Sequence, residues 1–385
     1  MRVVLVGPYP VDPQQARGGV VASFSALIDG LTAASDIDLH IVTFVPGLEA
    51  RARRTVGGVP IDYLPGTSRA GNLTLHVRER RALERELEEL RPDLVHAQDA
   101  VRYGYVCLKA ARNVPVVVSV HGIVREEVRY LGGLTTRAKA RFAQASLERY
   151  CIRHALYLVQ PTRYPEVYFD GEIRGRIVDV GNPIADRFFS DARTPQPGRV
   201  LYAGGIMPRK RVLDVVEAMP HVLSVSPDAS LRIAGAEIDP EYGARVRARV
   251  KELDLESRVT LLGGLSPERM LAEYRDAHVL VLPSAQETSP MVIGEAMAAA
   301  LPVVATRVGG VEYLVEEGVT GHVVEVGDIE TLARRISGIL DDSRVSEAMS
   351  TAAREKAGRL FRPSAVAARV REVYTEALRS AQTTA

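Results

Sequence analysis

The sequence contains few of the residues that mark disulfide-rich, redox-active or nucleic-acid-binding proteins. Its 385 residues include 2 cysteines, Cys107 and Cys151, in no paired metal-ligand or redox spacing, so we expect both to be buried and reduced. The 49 basic and 48 acidic residues leave a net charge of +1, which argues against nucleic acid as a partner. The 8 histidines do not cluster, and no Asp-x-Asp pair follows a predicted strand. We therefore expect that the protein requires no divalent metal.

The beginning of the sequence also has no long hydrophobic run. The segment MRVVLVGPYP contains one basic residue, and Gly7 and Pro8 interrupt its apolar run. That run is too short for a signal peptide or a membrane span. We therefore expect a cytoplasmic protein.

Short apolar runs alternate with helical patterns along most of the chain. This alternation predicts an α/β fold made of doubly wound parallel sheets, and the length of 385 residues predicts two domains. In the helical pattern 75–90, charged residues alternate with leucines, which predicts a solvated face. The predicted strands are 3–6, 39–44, 94–96, 116–120, 156–159, 177–180, 200–203, 231–234, 259–262, 279–282, 303–306 and 322–326.

The boundary between the two domains is predicted near residues 182–198. Pro183, Pro195, Pro197 and Gly198 interrupt regular structure there. The domains are thus predicted at 1–185 and 186–363, followed by a last helix at 364–385.

The segment 279–310 is predicted to form a strand, a polar loop, a helix and a second strand. Glu287 lies in the loop and Glu295 on the helix, whose start is marked by Ser289 and Pro290. From Met291 to Leu301 the helix is apolar except for Gly294 and Glu295, so it is buried and the Glu295 carboxylate needs a partner. That partner is either a structural Arg or Lys, or a pair of ligand hydroxyls with phosphate on the helix amides.

The spacing Glu-x7-Glu, followed by Ala-Met-Ala, Leu-Pro-Val-Val-Ala-Thr and Val-Gly-Gly, resembles the donor-site signature of the retaining glycosyltransferases of family 4. The resemblance implies the GT-B fold, two Rossmann-like domains that face each other across a deep cleft. The first domain would bind the acceptor and be completed by the last helix, and the second would bind the donor. Glu287 would bind donor-sugar hydroxyls and Glu295 the ribose. Pro290 and Ala300 stand where the family has glycine, so donor amides would come from Met291 and Val292.

Three cations follow a Gly-Gly pair after the strand 200–203. Gly204 and Gly205 precede Arg209, Lys210 and Arg211, and cations are disfavoured at a helix start unless an anion lies near. The alternative is a solvated basic turn. The family resemblance implies that Lys210 binds the donor diphosphate, and that Gly205 stands in the place of the family's phosphate arginine. Arg209 or Arg211 would then supply that charge. Gly263 ends a strand where relatives seat the nucleotide base.

In the first domain, Gly18 and Gly19 precede an apolar helix. They form either a plain turn or a close approach to an anion, and the resemblance favours the latter, near the donor phosphates and the acceptor. His121 ends a predicted strand, where a histidine is either structural or, as the resemblance implies, in contact with the donor sugar. Further acceptor candidates at strand ends or in nearby loops are His96, Gln98, Asp99 and Glu126.

The resemblance implies a retaining transfer from a nucleotide sugar, UDP- or GDP-linked, to a glycan, lipid-linked or small-molecule acceptor, with no permanently bound cofactor. Lys210 and Arg209 would stabilise the departing diphosphate, while His121 and Glu287 orient the sugar. An epimerase or a phosphorylase is a second interpretation within the same fold. A catalytically silent partner that binds a nucleotide sugar, or acts as a scaffold in glycan assembly, is a third.

Basic and apolar residues are mixed over 125–149, including Arg129, Tyr130, Leu134, Arg141 and Phe142. This pattern is typical of a surface helix, or of peripheral contact with the inner membrane surface, where lipid acceptors reside.

Overall fold

A computed structural model of the chain describes residues 1–12, 18–34, 36–67, 75–130, 134–189 and 193–384, with residues 134–142 and 384 described by their backbone alone. Contacts divide the chain into two compact units. The first comprises Met1–Pro183 and Pro363–Ala385, and the second comprises Ile184–Arg362.

The first unit is built on a sheet with eight strands among the described residues, in the order β3-β4-β2-β1-β5-β6-β7-β8. Neighbouring strands are parallel except for the antiparallel pair β3 and β4. The strands are β1 (Arg2–Val6), β2 (Asp38–Pro46), β3 (Ala52–Val56), β4 (Val59–Gly66), β5 (Leu94–Ala97), β6 (Val116–Ser119), β7 (Tyr157–Gln160) and β8 (Arg176–Asp179).

The hairpin of β3 and β4 was not predicted from the sequence. All five residues of β3 are exposed, so it lacks the apolar run of a buried strand. β4 contains Pro60 and Pro65, and proline argues against a strand unless it lies near an edge. Here β3 is the edge strand and β4 lies next to it. Pro60 and Pro65 lie near opposite ends of β4, where the loss of an amide donor disturbs the ladder least.

Helices cover both faces of the first sheet. Phe24, Leu27 and Leu31 of α1 pack with Val370 and Tyr374 of the last helix on one face, and the other face packs against α2, α3 and α5. The helices of this unit are α1 (Gly19–Thr32), α2 (Val77–Leu90), α3 (Arg102–Ala110), α4 (Val124–Glu127), α5 (Leu134–His154), α6 (Tyr164–Tyr168) and α14 (Pro363–Thr384).

The second unit has a parallel sheet of six strands among the described residues, in the order β11-β10-β9-β12-β13-β14, and helices again pack on both faces. This is the doubly wound order of dinucleotide-binding folds. The strands are β9 (Arg199–Ala203), β10 (Ser230–Ala234), β11 (Val259–Gly263), β12 (Val279–Leu282), β13 (Val303–Thr306) and β14 (Gly321–Val324). The helices are α7 (Val212–Val225), α8 (Pro240–Glu252), α9 (Pro267–Asp276), α10 (Met291–Ala298), α11 (Val311–Leu314), α12 (Ile329–Asp341) and α13 (Ser343–Leu360).

Each predicted apolar run lies on a strand, and the predicted α/β class with two doubly wound parallel-sheet domains is confirmed. In each sheet the chain reverses its direction of winding once, between β1 and β5 in the first and between β9 and β12 in the second. Ligands of open α/β sheets bind beyond the carboxyl ends of the strands at such switch points. The two switch points therefore locate the candidate site residues.

The last helix, α14, packs against α1 through a glycine. A β-carbon added at Gly30 of α1 would lie 2.4 Å from the Pro363 carbonyl oxygen. Because that oxygen belongs to backbone, the contact can be relieved only by moving one helix away from the other. Gly30 thus sets how closely α14 approaches the first sheet.

We predict that Gly30→Ala lowers the free energy of unfolding by about 1 to 3 kcal/mol, because the added methyl group overpacks the α1–α14 contact. Gly338→Ala in α12 is the matched control, since a β-carbon at Gly338 meets nothing within 4 Å. Alanine should stabilise that helix by roughly 0.5 to 1 kcal/mol. Thermal midpoints of the two variants test this, and a Gly30→Ala midpoint equal to or above that of the wild type would contradict it.

Candidate functional site

The second switch point brings together the loops that follow β9 and β12. After β9, Gly204 and Gly205 lead to a short 3-10 helix at Pro208–Lys210. After β12, the chain runs through Ser284 to Pro290 before α10 begins. The two loops are joined directly, because the Ala285 amide donates to the Arg209 carbonyl oxygen at 2.8 Å.

Lys210 and Glu287 form an ion pair in this place. Lys210 Nζ lies 2.5 Å from Glu287 Oε1, and their side chains are 16% and 6% exposed. Ser284 donates to the same carboxylate oxygen at 2.6 Å. A charge pair this enclosed is costly to break, by about 3 to 5 kcal/mol when one partner is removed. Glu287 and Lys210, which are 77 residues apart in sequence, thus lie together at this sheet edge.

Arg209 points toward the same loop as Lys210. Its guanidinium donates to the Gln286 side-chain oxygen at 2.7 Å and to the Gln286 carbonyl at 3.3 Å. Arg211 turns elsewhere, because it has a left-handed backbone (φ 49°) and pairs with Asp214 at 2.7 Å. Of the two arginines considered as replacements for the missing charge at Gly205, Arg209 lies beside Lys210.

Glu295 finds a hydroxyl partner rather than an Arg or Lys in direct contact. The Tyr274 hydroxyl, on the fully buried Tyr274 of α9, donates to Glu295 Oε2 at 2.8 Å. Burial raises the pKa of Glu295, while the hydroxyl and the charge of Arg187 act in the opposite direction. A buried carboxylate in such a place is stabilised by any further hydroxyl that donates to it.

The start of α10 differs from the predicted one by one residue. Pro290 was predicted as the first helical residue with Ser289 as its cap, but Pro290 itself is the N-cap (φ −69°, ψ 116°) and α10 begins at Met291. The Ile293 amide donates to the Pro290 carbonyl at 3.1 Å. The leading amides of the helix are therefore those of Met291 and Val292, as the resemblance implied.

Glycines allow the strand ends of this sheet to approach one another. A β-carbon at Gly235 would lie 1.7 Å from the Gly204 carbonyl oxygen, and Gly204 itself has φ +153°. At Gly205, a β-carbon would meet Ile238 Cγ1 at 2.9 Å. Gly263 ends β11 with φ +67° and no neighbour within 4 Å of a β-carbon. Gly263 thus offers backbone groups beside open space. The family resemblance predicts that the nucleotide base binds at this strand end.

The first switch point holds His121, Gln98 and Asn182. His121 Nδ1 lies 3.1 Å from Asn182 Oδ1, and His121 Nε2 lies 3.2 Å from Gln98 Oε1. Gly7 permits this arrangement, because a β-carbon there would lie 2.8 Å from Gln98 Cβ. Burial lowers the pKa of His121 to about 4, with the Asn182 contact acting in the opposite direction, so the ring is neutral at pH 7.

A neutral imidazole donates only one hydrogen bond, so it cannot donate to both amide oxygens. With Gln98 Oε1 toward the ring, the buried Gln98 amide nitrogen has no hydrogen-bond partner among the described residues. Turning this amide by 180° lets Gln98 Nε2 donate to His121 Nε2. His121 Nδ1–H then donates to Asn182 Oδ1, which sets the tautomer.

His96 is a structural residue, and its prediction as an acceptor residue is wrong. It is completely buried, and its two ring nitrogens contact the Tyr374 hydroxyl at 2.7 Å and the Ser119 hydroxyl at 2.8 Å. Burial lowers the pKa of His96 to about 3, helped by its neighbour His121. His96 therefore ties β5 and β6 to α14.

Two other acceptor candidates also serve the fold. Asp99 Oδ1 accepts from the amides of Val101, Tyr103 and Gly104, at 2.8 to 3.3 Å, so it orders the start of α3, and its contact with an acceptor stays a prediction. Glu126 accepts from the Tyr164 hydroxyl at 2.6 Å and is partly exposed. Gln98 is buried and positions His121, so it acts through the histidine.

Gly18 and Gly19 lie at the start of α1. Gly18 is its N-cap with φ 97° and ψ 149°, a backbone conformation that only glycine adopts readily. A β-carbon at Gly18 would have no neighbour within 4 Å, so the glycine is required by conformation rather than by crowding. Gly19 is the first residue of the helix.

The predicted solvated face of the helix 75–90 is partly wrong. Glu79 and Glu86 of α2 are buried. Glu79 is paired with His76 and Arg102, which helps to lower its pKa to about 2 against the opposing effect of burial.

Glu86 lies beside His40 and Asp62, and these three side chains have the spacing of metal ligands. Arg51 and Arg53 already donate to Asp62 Oδ1 at 3.0 and 2.8 Å, and Arg51 reaches Glu86 at 2.6 Å. Burial raises the pKa of Glu86 to about 7, with Asp62 adding to the effect. The arginines thus neutralise the carboxylates of this cluster, and the ion network joins β2, β4 and α2. Its residues are far apart in sequence.

The membrane hypothesis for 125–149 depends largely on residues outside the described side chains, among them Leu131 and residues 134–142. Of the remainder, Arg125 is engaged inside the unit, at 3.0 Å from Glu148 and 2.6 Å from Glu172, whereas Tyr130 is 39% exposed. Within the described ranges, every helix is too short or too polar to span a bilayer. Peripheral contact stays a prediction.

Comparisons with known proteins agree with this architecture. A sequence model of the family Glycosyltransferase Family 4 matches residues 17–164, and one of Glycosyl transferases group 1 matches residues 185–356. The glycogen synthase of Mycobacterium tuberculosis is 28% identical over 297 residues, which cover 75% of this chain and 70% of that protein. The D-inositol 3-phosphate glycosyltransferase of Corynebacterium efficiens is 33% identical over 184 residues, 46% of this chain and 42% of that one.

Among solved structures, sucrose-phosphate synthase of Thermosynechococcus elongatus superposes with a TM-score of 0.79 at 22% identity, covering 99% of this chain and 100% of that one. HepE of Anabaena, in complex with UDP and glucose, has a TM-score of 0.72 at 19% identity over 97% and 99% of the two chains. At these identities the likeness establishes the fold, which is GT-B. The two family models, which match residues 17–164 and 185–356, show that the chain belongs to the group 1 glycosyltransferases, enzymes that transfer a sugar to an acceptor.

Two neutral histidines, the buried His96 and the half-buried His121, predict how stability depends on pH. An unfolded histidine has a pKa near 6.5, above the values of about 3 for His96 and about 4 for His121. The unfolded chain therefore binds more protons below pH 6.5, and stability that is fully present above that pH is lost as the pH falls toward 4. Each histidine contributes a loss of about 1.4 kcal/mol per pH unit well below 6.5.

We predict that His96→Gln reduces the slope of stability against pH between 6.5 and 4.5, measured by urea unfolding at each pH. Gln can keep the hydrogen bonds to Tyr374 and Ser119 without titrating. His221→Gln is the matched control, because His221 is exposed on α7, and this variant should keep the wild-type slope. The same slope in all three proteins would contradict the prediction.

Proposed function

We propose that this glycosyltransferase is a retaining enzyme whose donor is a nucleotide sugar, bound beyond the carboxyl ends of β9 and β12. The observation that supports this most strongly is the enclosed pair of Lys210 and Glu287, with Arg209 beside it. A cation suits a diphosphate and a carboxylate suits sugar hydroxyls, and here the two stand on neighbouring strand ends at a switch point.

In this proposal the diphosphate takes the place of some of the contacts that Lys210 and Arg209 make with protein side chains. Lys210 and Arg209 donate to the phosphate oxygens, together with the amides of Met291 and Val292 at the start of α10. Glu287, relieved of Lys210, accepts hydrogen bonds from hydroxyls of the donor sugar while Ser284 keeps it in place. Glu295, held by Tyr274, accepts from the ribose hydroxyls.

The reaction then needs stabilisation of charge more than a nucleophile from the protein. As the bond between the anomeric carbon and the phosphate oxygen breaks, negative charge grows on the diphosphate, where Lys210 and Arg209 oppose it. The acceptor hydroxyl attacks from the same face, and its proton passes to the departing phosphate oxygen. Glu287 is held by Ser284 and occupied by the sugar hydroxyls, so it serves as a binding residue, and attack from the face of the departing group gives retention without a covalent intermediate.

His121 is proposed to contact the donor sugar through a neutral ring. Its lowered pKa suits a hydrogen-bonding group and excludes a standing positive charge at pH 7. Asn182 positions the ring through Nδ1, and His121 Nε2 exchanges its contact with Gln98 for a hydroxyl of the sugar.

The donor is proposed to be a UDP- or GDP-linked sugar, used without a metal ion. The HepE structure contains UDP and glucose, and a starch synthase of Arabidopsis with a TM-score of 0.72 contains ADP and acarbose. These proteins support a nucleotide donor and place UDP-glucose first for testing. The acceptor is proposed to be a glycan, a lipid-linked sugar or a small molecule.

The second candidate is a nucleotide-sugar binder without activity. Gly205 supports it, because no side chain there can reach a phosphate. The position of Arg209 beside Lys210 favours the enzyme, since it restores a second cation from four residues further on.

We predict that Lys210→Ala lowers the rate of UDP release from UDP-glucose by about 100-fold or more, since one preorganised charge is typically worth that much. Arg209→Ala should lower it by about tenfold or more if this residue replaces the missing arginine. Arg211→Ala is the matched control and should retain the wild-type rate, because Arg211 pairs with Asp214. An unaffected Arg209→Ala variant would exclude the compensation.

We also predict that one class of donor among UDP-, GDP-, ADP- and dTDP-sugars raises the thermal midpoint, because a ligand that binds only the folded state stabilises it. The shift should disappear in Lys210→Ala and Glu295→Ala.

Proton NMR of the transferred sugar should then show the anomeric configuration of the donor. Donor binding without turnover, with any acceptor, would favour the silent binder, and an inverted product would exclude retention.

A further inference from the structure

A cavity of about 280 Å³ lies beside the carboxyl ends of β1 and β2 in the first unit. It is lined by three prolines, three valines, two tyrosines, Phe44 and Thr43. A cavity of roughly 150 Å³ holds a benzene ring, so this one has room for two fused rings. Neither His121 nor Gln98 is among the described residues that line this cavity.

The walls of the cavity are fixed before any ligand binds. Phe44 stacks on Tyr103 with ring centroids 6.0 Å apart and planes 16° apart, and Arg102 lies over both rings. Tyr9 packs edge-on against Phe24 at 6.4 Å. The Pro10 carbonyl oxygen accepts from the Tyr63 hydroxyl at 3.2 Å. A preformed wall costs little ordering entropy when a ligand enters.

The polar groups of the lining are largely used within the protein. Thr43 Oγ1 accepts from the Tyr9 amide at 3.3 Å, and the Tyr103 hydroxyl interacts with Thr43 as well. Proline, valine and phenylalanine side chains offer no hydrogen bond, and the ten lining side chains include none with a formal charge. A bare sugar ring would lose water from its hydroxyls here without finding partners, which is unfavourable.

The cavity adjoins the part of the first unit in which a transfer site was expected. Val21, in the first turn of α1, forms one side of it, two residues after Gly19. Pro8, on another side, follows Gly7, against which Gln98 packs. A group in the cavity would therefore lie near the glycine pair and one residue from Gly7, against which Gln98 packs. Gln98 in turn contacts His121.

We propose that this cavity binds an apolar aromatic group of the acceptor, so that the preferred acceptor is an aryl-bearing alcohol or glycoside rather than a bare sugar. The statement that the bound group belongs to the acceptor rests on the proposed function. The binding of an aromatic group to the cavity does not depend on it. The lining includes three aromatic side chains and three prolines, residue types whose rings suit contact with an aromatic group.

The test compares two probes that share one sugar, 2-naphthyl β-D-glucopyranoside and methyl β-D-glucopyranoside, so that a difference in affinity comes from the aglycone alone. The chain has no tryptophan, so naphthyl fluorescence anisotropy reports binding without tryptophan emission, and the methyl glucoside is titrated by calorimetry. We expect the naphthyl glucoside to bind about tenfold more tightly or better. Equal affinity would overturn the proposal.

Three variants locate the binding. Val21→Phe fills the cavity and should weaken naphthyl binding about tenfold, whereas Val20→Phe makes the same change on a side chain that is 38% exposed and outside the lining, and should leave it unchanged. Equal weakening by both would overturn the proposal. Val11→Asp, at a rim residue that is 43% exposed, adds a charge with little risk to folding and should also weaken binding.

Donor binding is measured on the same samples with UDP-glucose. Naphthyl binding that depends on Val21, together with absent donor binding, would support the cavity and count against the proposed function. Donor binding that depends on Lys210, with no preference for the naphthyl glucoside, would support the proposed function and overturn the cavity proposal.

Discussion

The position of the Lys210–Glu287 ion pair depends on one constraint, the adjacency of β9 and β12 in the second sheet. These strands are 75 residues apart in sequence, yet parallel pairing aligns Val281 with Tyr202, so the loops that follow them leave the sheet side by side. Backbone then joins them, through Ala285 and Arg209. An enclosed pair would be a poor source of stability by itself, because desolvation offsets most of the attraction. In the proposed function, a ligand exchanges with one partner of this pair.

Close approach of backbones is the second condition for such an edge. Gly235 against Gly204, and Gly7 against Gln98, are positions where a methyl group would collide with neighbouring atoms. Both occur where the chain leaves a strand at a carboxyl end. The glycines thus leave space at the edge because they have no side chains. The polar side chains of the candidate site lie on residues further along the chain.

The sequence allowed prediction wherever the signal was local. Apolar runs located twelve strands. Glu287, Glu295 and Lys210 were assigned to one donor site, and the structure brings Lys210 and Glu287 together at one sheet edge, while the binding of a donor there stays a prediction. The errors occur where the deciding contact is distant. His96 was taken for a ligand because its partner Tyr374 is 278 residues away. Glu79 and Glu86 were placed in solvent because Arg102, Arg51 and Arg53 lie on other elements. β3 has no apolar run, since its exposed edge position requires none.

The two sheet edges differ in their electrostatics, and the difference fits the two halves of a transfer reaction. The second edge carries Lys210 and Arg209, which suit a donor whose leaving group gains negative charge. The first edge carries a histidine that burial keeps neutral, two side-chain amides and an apolar cavity, which suit an acceptor that arrives as an uncharged hydroxyl. A neutral imidazole exchanges hydrogen bonds with hydroxyls without attracting an anion, so we infer that the lowered pKa of His121 suits this edge to uncharged groups.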